Sequence, residues 1–383
     1  MPEARLTDHP HPQFGHQEAG SAVTALQPFT YHSLPMRVVF GPGVVASLPQ
    51  EIERLGYRRA LVLCGPQQQA TGGMVADALG SRAAGVLAEA RMHVPLEVAD
   101  LARQRARELG ADCCVAVGGG SAVGLGKAVA LEHGLPVLAV PTTYAGSEMT
   151  PVWGLTENGR KRTGRDPRVL PVSVFYDPEL TLTLPVGLSV TSAVNAAAHA
   201  VEALYAPDAN PVISLMAEEG VRALVDALPA VVRDPGDLEA RGQAQYGAWL
   251  SGACLGATTM SLHHKLCHSL GGTLDLPHAP THTVVLPHAL AYNQRGAPQA
   301  VAALSRALGG AADPARRFFD LAGELGAPRS LRELGMAETA IARIVDEVLA
   351  NPYANPVEVT AEGLTALLHA AWAGEPPQAA GPE

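Results

Sequence analysis

Histidines are concentrated in one stretch of this sequence, residues 262–288, which holds six of the fourteen in the chain. Within it, three leucines recur at helical spacing and predict an apolar stripe: Leu262, Leu266 and Leu270. His264 and His268, four residues apart, lie on a roughly opposite face of that helix. Packing through the leucines therefore points two imidazoles into the space across from the stripe.

Two glycines, Gly271 and Gly272, are expected to end this helix. The loop after them can return His278 or His282 to the space that the first two imidazoles face. Several imidazoles around one space make either a metal site or a proton-transfer site. A single histidine is more often exposed or satisfied within a core, but the density of this cluster favours a functional site.

A second polar pair precedes this stretch, in the helical segment NAAAHAVEALY. Asn195 and His199 are four residues apart and share one helix face. This pair is the natural partner of the histidines at 264, 268 and 278. Taken alone, Asn195 is interpreted equally well as a helix-start or solvent residue.

The elements before this region predict a parallel sheet. Short apolar runs are continuous rather than alternating, and helical segments separate them: RVVF, ALVLC, a run near residues 84–87, and CCVAV. Such strands are buried on both faces by helices, as in a doubly wound fold. A linker is expected at residues 185–192, and from about residue 191 to 372 only helical patterns follow.

Two loops at the expected carboxyl edge of this sheet have the composition of a ligand site. The run CCVAV enters GGGSAVGLGKAVAL, where glycines before a helix start suit a pyrophosphate, although the pattern is not G-x-G-x-x-G and a plain turn stays open. The next strand ends in PTTYAGSE, at the edge where doubly wound folds bind ligands. The candidate cofactor contacts are Gly118, Gly119, Gly120, Ser121, Thr142, Thr143 and Ser147.

Residues 159–168, GRKRTGRDPR, place five basic side chains in what we expect to be one polar loop. Arg160 or Lys161 could there bind a substrate carboxylate. A solvated hairpin is the alternative, and it is the stronger interpretation for any single residue.

Composition limits the function. The formal charge of −10 argues against nucleic acid and against an anionic membrane, because both need a basic surface. No apolar run is long enough to span a bilayer. Five cysteines without CxxC spacing, in a chain without a signal peptide, predict reduced thiols and a cytoplasmic location.

The expected domain organisation has four parts. Residues 1–28 are polar and lack periodicity, which predicts a disordered extension. A dinucleotide-binding α/β domain is expected at residues 29–186, a helical domain at 187–373 and a tail at 374–383.

Together these motifs resemble the iron-containing (group III) alcohol dehydrogenase superfamily. The shared elements are GGGS, PTT followed by G-S-E, DPELTLTLP, the helix with His199, H-x-x-x-H with a later histidine, and LPHALAYN. Within that superfamily, TTYAGSEMTPVWGLTE, GRKRTGRDP, NAAAHAVEALYAPDANP and LHHKLCHSLGGTLDLPHAPTH resemble the maleylacetate reductases. The resemblance covers residues 29–372 and implies a Rossmann-like domain followed by an all-helical domain, the dehydroquinate synthase-like architecture.

The resemblance also implies an activity: NADH- or NADPH-dependent reduction of the C=C bond of 2-maleylacetate to 3-oxoadipate, in bacterial degradation of aromatic compounds. It implies a small dicarboxylate as substrate and a homodimer as the assembly. His199, His264 and His278 are expected to line the pocket, with His268 next to the nicotinamide and the proton donor open among them. Weaker candidates for substrate contacts are Tyr144, Asn195, Lys265, Arg160 and Lys161.

Two departures from the superfamily matter. Its iron-dependent members bind the metal with an aspartate and three histidines. Here Asn195 stands at the aspartate position, beside His199, His264 and His278. Losing the one anionic ligand predicts an enzyme that needs no metal. Gly124 replaces the aspartate of GGGS-x-x-D, so a polar contact near the nicotinamide is missing. No acidic residue follows ALVLC to hold an adenosine ribose, which leaves NADH against NADPH open.

Three alternatives remain open. A metal-dependent alcohol dehydrogenase would require Asn195 to tolerate zinc or iron. A carbon–oxygen lyase of the dehydroquinate synthase type shares the architecture, but its dense phosphate-binding lysines and arginines are not evident here. A non-enzymatic binding protein would have little reason to keep both a dinucleotide loop and a histidine-lined helix face.

Overall fold

The computed structural model describes residues 28–157 and 160–378, without the side chains of Arg160 and Lys161. The chain divides into two compact units, Met1–Thr30 and Tyr31–Glu383, and every element below belongs to the second. The extension predicted at residues 1–28 therefore lies, up to residue 27, outside the described residues. The domain boundaries at 186 and 373 stay a prediction.

Eight strands occur in the described part of the chain: β1 Arg37–Phe40, β2 Ala60–Leu63, β3 Ala83–Leu87, β4 Cys113–Gly118, β5 Val137–Pro141, β6 Val152–Glu157, β7 Arg160–Arg165 and β8 Ser173–Tyr176. Six form one sheet in the order β1-β8-β5-β4-β2-β3, and all of its pairings are parallel. The predicted doubly wound sheet is confirmed.

Helices cover both faces of this sheet: α1 Leu48–Arg54, α2 Gln69–Leu79, α3 Leu96–Glu108 and α4 Gly120–His133. In β2, Val62 packs in the core that α1 and α2 cover, while Leu61 and Leu63 pack in the core that α3 and α4 cover. Burial on both faces explains why the strand sequences are continuously apolar.

The strand order fixes where a ligand can bind. The chain passes from β2 outward to β3, then crosses to β4 and continues in the opposite direction to β5. The loops after β2 and β4 therefore leave the sheet on different sides and open a crevice at its carboxyl edge. The glycine loop identified from the sequence begins at this switch point.

The basic segment at residues 159–168 is not one loop, and the alternative interpretation, a hairpin, is confirmed. Its first half is strand β7, which pairs antiparallel with β6. Arg162 is exposed and lies 3.8 Å from Glu157, and the side chain of Arg165 donates to the carbonyl oxygen of Gly256. These two charges stabilise the hairpin and its attachment.

Nine helices follow in the described residues: α5 Val186–Ala203, α6 Pro211–Arg233, α7 Leu238–Ala257, α8 Leu262–Leu274, α9 His278–Asn293, α10 Pro298–Ala307, α11 Pro314–Glu324, α12 Ile341–Ala350 and α13 Ala361–Ala373. The predicted all-helical second half is confirmed. None of the described helices combines the length and the hydropathy that crossing a bilayer requires.

The linker predicted at residues 185–192 is wrong, because α5 begins at Val186 directly after Pro185. The hydroxyl of Ser189 donates to the Pro185 carbonyl at 3.1 Å, and that of Thr191 donates to the Gly187 carbonyl at 3.0 Å. Hydroxyl residues typical of linkers are thus satisfied one turn back within a helix.

Helix α8 confirms the leucine stripe but not its predicted end. Leu262, Leu266 and Leu270 are buried in one core with residues of α9, α12 and α13. The helix continues through both glycines to Leu274, because Asp275 takes the left-handed capping conformation (φ 54°). His278 and His282 consequently lie on the next helix, α9, rather than in a loop.

Candidate active site

Three helices bring the predicted histidines together. The ring of His199 on α5 lies 5.1 Å from that of His264 on α8, and His264 lies 6.0 Å from His268. From α9, the His282 ring lies 5.0 Å from His264 and 4.3 Å from His278. All four histidines selected from the sequence belong to this cluster, and His282 joins them.

The solvent exposure of the rings increases from the interior of the cluster to its rim. His199, His264 and His282 are buried, His278 is half-buried and His268 is exposed. Burial, reinforced by the neighbouring imidazoles, lowers the pKa of His199 and His282 well below the ordinary value. These two rings are therefore neutral at physiological pH.

Several polar atoms in the cluster have no protein partner. Asn195 Oδ1, His199 Nδ1 and His264 Nε2 are buried and make no hydrogen bond within the described residues. Leaving such an atom unpaired costs roughly 1–3 kcal/mol. A group of them on two adjacent helices indicates a site for a polar ligand.

A buried carboxylate, which sequence analysis missed, lies behind these rings. Glu202 is on α5, three residues after His199 and therefore on nearly the same helix face. It is fully buried, and its Oε2 lies 2.7 Å from His264 Nδ1. The spacing H-A-V-E was the available signal, and it could have identified this residue.

A second histidine pair lies deeper. His263 Nε2 and His282 Nδ1 are 2.9 Å apart, a hydrogen-bond distance, and Cys267 Sγ lies 3.8 Å from the same His263 nitrogen. Burial raises the pKa of the Cys267 thiol well above its ordinary value and lowers that of the His263 imidazole. A neutral hydrogen-bonded pair beside a thiol accounts for this geometry.

At the switch point, three loops form a cradle for an anion. Helix α4 starts at Gly120 without a side-chain cap, so its first N–H groups and its positive dipole end are available. A Cβ on Gly119 would lie 2.8 Å from Thr143 Oγ1, a separation that only glycine allows. Gln68, after β2, donates to Thr142 Oγ1 at 2.5 Å. The sequence did not single out Gln68.

The ammonium of Lys127 on α4 fixes the segment between β5 and β6. It donates to the Ser147 carbonyl at 2.6 Å, to the Thr150 hydroxyl at 3.1 Å and to the Val152 carbonyl at 2.8 Å. Burial lowers the pKa of Lys127 to about 7. Ser147, predicted to contact a cofactor, has its hydroxyl 3.3 Å from this ammonium.

One glycine joins the cradle to the histidines. Gly146 follows β5 in the left-handed conformation (φ 82°). A Cβ there would lie 3.2 Å from His199 Nδ1 and 3.2 Å from the Gly252 Cα of α7. The loop that carries Thr142 and Thr143 therefore reaches the imidazole cluster, and the two form one site.

Some predicted residues lie in other surroundings. Tyr144 is fully buried, with its hydroxyl 3.5 Å from the Arg241 guanidinium. The Lys265 ammonium lies 5.6 Å above the Tyr353 ring, whose hydroxyl is 3.4 Å from His268 Nδ1. Tyr353 thus connects Lys265 to the rim of the cluster.

Two further predictions concern positions beside the site. A Cβ at Gly124 would lie 2.8 Å from the Val94 side chain, so an aspartate at that position would require Val94 to move. The side chains of Arg160 and Lys161, proposed to bind a carboxylate, lie outside the described residues.

The positions that hold iron in the superfamily fit a divalent ion poorly here. Asn195, His199, His264 and His278 offer an amide and three imidazoles, with no anionic donor. Among the described residues, the one group of histidine, cysteine and carboxylate ligand atoms that all lie within 4.8 Å of one another is His263, Cys267 and His282. Within the described residues, the ligand atoms of His199, His264 and His278 therefore do not all lie within that distance of one another.

Comparison with known proteins agrees with this geometry. The family model of iron-containing alcohol dehydrogenase matches residues 35–178, and the C-terminal model of that family matches residues 189–372. Maleylacetate reductase of Sphingobium indicum is 55% identical over 91% of this chain and 99% of its own. That of Burkholderia cepacia is 56% identical over the same shares.

Solved structures agree as well. The crystal structure of maleylacetate reductase from Agrobacterium tumefaciens matches with a TM-score of 0.89 and 51% identity, covering 92% of this chain and 100% of that one. Identity of this size over nearly the full length of both chains carries the assignment, and the chain belongs to the maleylacetate reductase family of the iron-containing alcohol dehydrogenase superfamily.

Proposed function

We propose that this protein reduces the C=C bond of 2-maleylacetate, giving 3-oxoadipate, with NADH or NADPH as the reductant. The carrying observation is the contact at Gly146, which joins an anion cradle at the sheet edge to a cluster of imidazoles. When bound, the nicotinamide supplies a hydride to the alkene carbon β to the ketone. The protein must then stabilise an enolate and deliver one proton.

The imidazoles supply both functions. Hydrogen-bond donors placed at a developing oxyanion act strongly in a water-poor site, and the buried rings of His199 and His264 lie 5.1 Å apart. His268 and His278 are less buried and can exchange protons with solvent. We assign proton delivery to His268 or His278, because burial keeps His199 neutral.

Charge also favours this substrate. Asn195 contributes no negative charge to the space among the rings, whereas an aspartate would repel a dicarboxylate there. We therefore propose that catalysis needs no metal. The weak donor set at Asn195, His199, His264 and His278 supports this proposal.

The choice of cofactor depends on the loop after β2. No carboxylate follows β2, where Gly65, Pro66 and Gln67 precede Gln68, so both NADH and NADPH stay candidates. Cytoplasmic location is supported by the five buried, unpaired cysteines. A homodimer is supported by the family resemblance and by β1, which is an edge strand of the sheet among the described residues and which a second copy could extend.

The experiment is product analysis with cofactor deuterated at the transferable position of nicotinamide C4. Reduction of the alkene leaves deuterium on the carbon β to an intact ketone, which NMR of 3-oxoadipate detects. Deuterium on a new carbinol carbon would instead show carbonyl reduction and contradict the proposal.

A metal-dependent alcohol dehydrogenase is the second candidate, and one observation favours it. Metal-bound histidines often donate their other nitrogen to a carboxylate, which is how His264 faces Glu202. Alcohol oxidation that requires added iron or zinc would support this candidate.

A further inference from the structure

Glu202 is a fully enclosed carboxylate beside the site, and the metal-free mechanism proposed above gives it no role. It lies on α5 with none of its surface exposed. Its oxygens accept from two backbone groups at the start of α8: the Ser261 N–H at 2.8 Å and the His263 N–H at 2.7 Å. The remaining partner is His264 Nδ1 at 2.7 Å. Two backbone donors and one imidazole nitrogen therefore converge on one carboxylate.

We propose that Glu202 is a positioning residue that fixes the ring orientation and the tautomer of His264. A carboxylate offers only acceptors, so the imidazole nitrogen that faces it must carry the hydrogen. The other nitrogen, Nε2, then carries no hydrogen in the neutral ring and can accept one. It makes no hydrogen bond within the described residues, and the His264 ring lies 5.1 Å from that of His199.

The backbone contacts make this orientation rigid. Ser261 precedes α8, and His263 and His264 are in its first turn, so the carboxylate binds the helix start and the ring that emerges from it at once. A negative charge is stabilised at a helix N-terminus by the helix dipole. The geometry thus keeps an anion behind the imidazole, while Asn195 keeps the opposite side free of charge.

A purely structural role predicts different consequences, and the chain offers a matched control. Asp208 also accepts from the segment before α8, through the Thr259 N–H at 3.0 Å and the Thr259 hydroxyl at 3.0 Å, and within the described residues it has no hydrogen bond to a histidine. Asp208→Asn weakens the same connection without touching the ring. Glu202→Gln keeps the size of the side chain but places an NH2 group among the two backbone donors and the imidazole nitrogen.

The test is NMR of the full-length protein labelled with 15N-histidine, with His264 assigned by comparison with His264→Gln. The spectrum distinguishes a ring nitrogen that carries hydrogen from one that does not. We expect hydrogen on Nδ1 of His264 in the wild type and in Asp208→Asn, and a changed tautomer or mixture in Glu202→Gln. Hydrogen on Nε2 alone in the wild type would overturn the proposal even if no Glu202 variant folds.

Turnover gives the second readout, which rests on the proposed function, whereas the NMR result does not. Loss of a partner that orients a site histidine typically reduces activity about 10- to 100-fold. We expect Glu202→Gln to lower kcat by this factor while KM for the cofactor changes less than about twofold, Glu202→Asp to recover part of kcat, and Asp208→Asn to stay near wild type. Equal losses in Glu202→Gln and Asp208→Asn with an unchanged imidazole spectrum would make Glu202 a helix cap only.

Discussion

Replacing Gly146 with alanine should separate backbone strain from damage to the site. Gly146 has φ 82°, and a left-handed backbone costs an L-residue roughly 1–2 kcal/mol. Its new Cβ would also lie 3.2 Å from His199 Nδ1, closer than ordinary van der Waals contact, so the loop and the imidazole must move apart.

Gly134 supplies the matched control. It ends α4 with φ 66°, and no heavy atom lies within 4 Å of a Cβ placed there. Gly134→Ala therefore carries the same backbone cost without the contact. For a chain of 383 residues, this backbone cost should lower Tm by about 1–3 °C in Gly134→Ala, and Gly146→Ala should lose more because of its added contacts.

Activity should distinguish the two variants. Displacement of catalytic groups by about 1 Å can reduce the rate by 10²-fold, and a shift of a few tenths of an ångström should give about a 10-fold loss of kcat/KM in Gly146→Ala. Gly134→Ala should stay within about twofold of wild type. Steady-state oxidation of NADH with maleylacetate measures both. Wild-type kcat/KM in Gly146→Ala, or equal losses in the two variants, would refute the contact between the cradle and His199.

Two further predictions concern stability. Burial lowers the pKa of His288 to about 4 in the folded chain, so the His288 imidazole binds a proton more readily in the unfolded chain. Protonation of His288 should therefore destabilise the fold by up to about 3 kcal/mol as the pH falls from 6.5 to 4. Urea unfolding at pH 7 and pH 4.5 should show a smaller loss in His288→Leu, and an unchanged pH dependence would contradict the assignment. Leu266→Ala should lower the free energy of unfolding by about 2–5 kcal/mol, because the Leu266 side chain is fully buried where α8 packs on the core. A change below 1 kcal/mol would show that the stripe does not anchor this helix.

The sequence predicted the features that periodicity determines. Continuous apolar runs located the strands of the parallel sheet, and the leucine stripe located α8, because burial on both faces or on one stripe leaves a direct pattern. The same spacing argument placed Asn195 beside His199, and His264 beside His268. The convergence of the two pairs was not fixed by this argument, because α5 and α8 are buried on nearly all faces.

What the sequence could not predict depends on partners distant along the chain. The predicted end of α8 was wrong because it was placed at the two glycines, whereas Asp275 takes the left-handed conformation that ends the helix. The contacts of Glu202 could not be predicted because its partners lie about 60 residues later, although its spacing from His199 was visible in the sequence. Gln68 was missed because its contact with Thr142 exists only once β2, β4 and β5 are adjacent.

Secondary structure at short polar segments failed for a related reason. Residues 185–192 contain the hydroxyl and glycine residues of a linker, yet Ser189 and Thr191 bond back to their own helix. Residues 160–165 have the charge of a loop, yet they pair with β6. Local composition there is compatible with both outcomes, and only the tertiary partner decides between them.

The measurement that tests the central claim most directly is NADH oxidation with freshly prepared maleylacetate, using enzyme dialysed against a chelator and then supplied with iron, zinc or manganese. The account predicts rapid oxidation of NADH by the chelated enzyme. Adding a metal should give no further increase, because catalysis does not need a metal bound by Asn195 and the three imidazoles. Activity that appears only after a metal is added would contradict the metal-free site. Oxidation of an alcohol with maleylacetate left unchanged would contradict the proposed substrate.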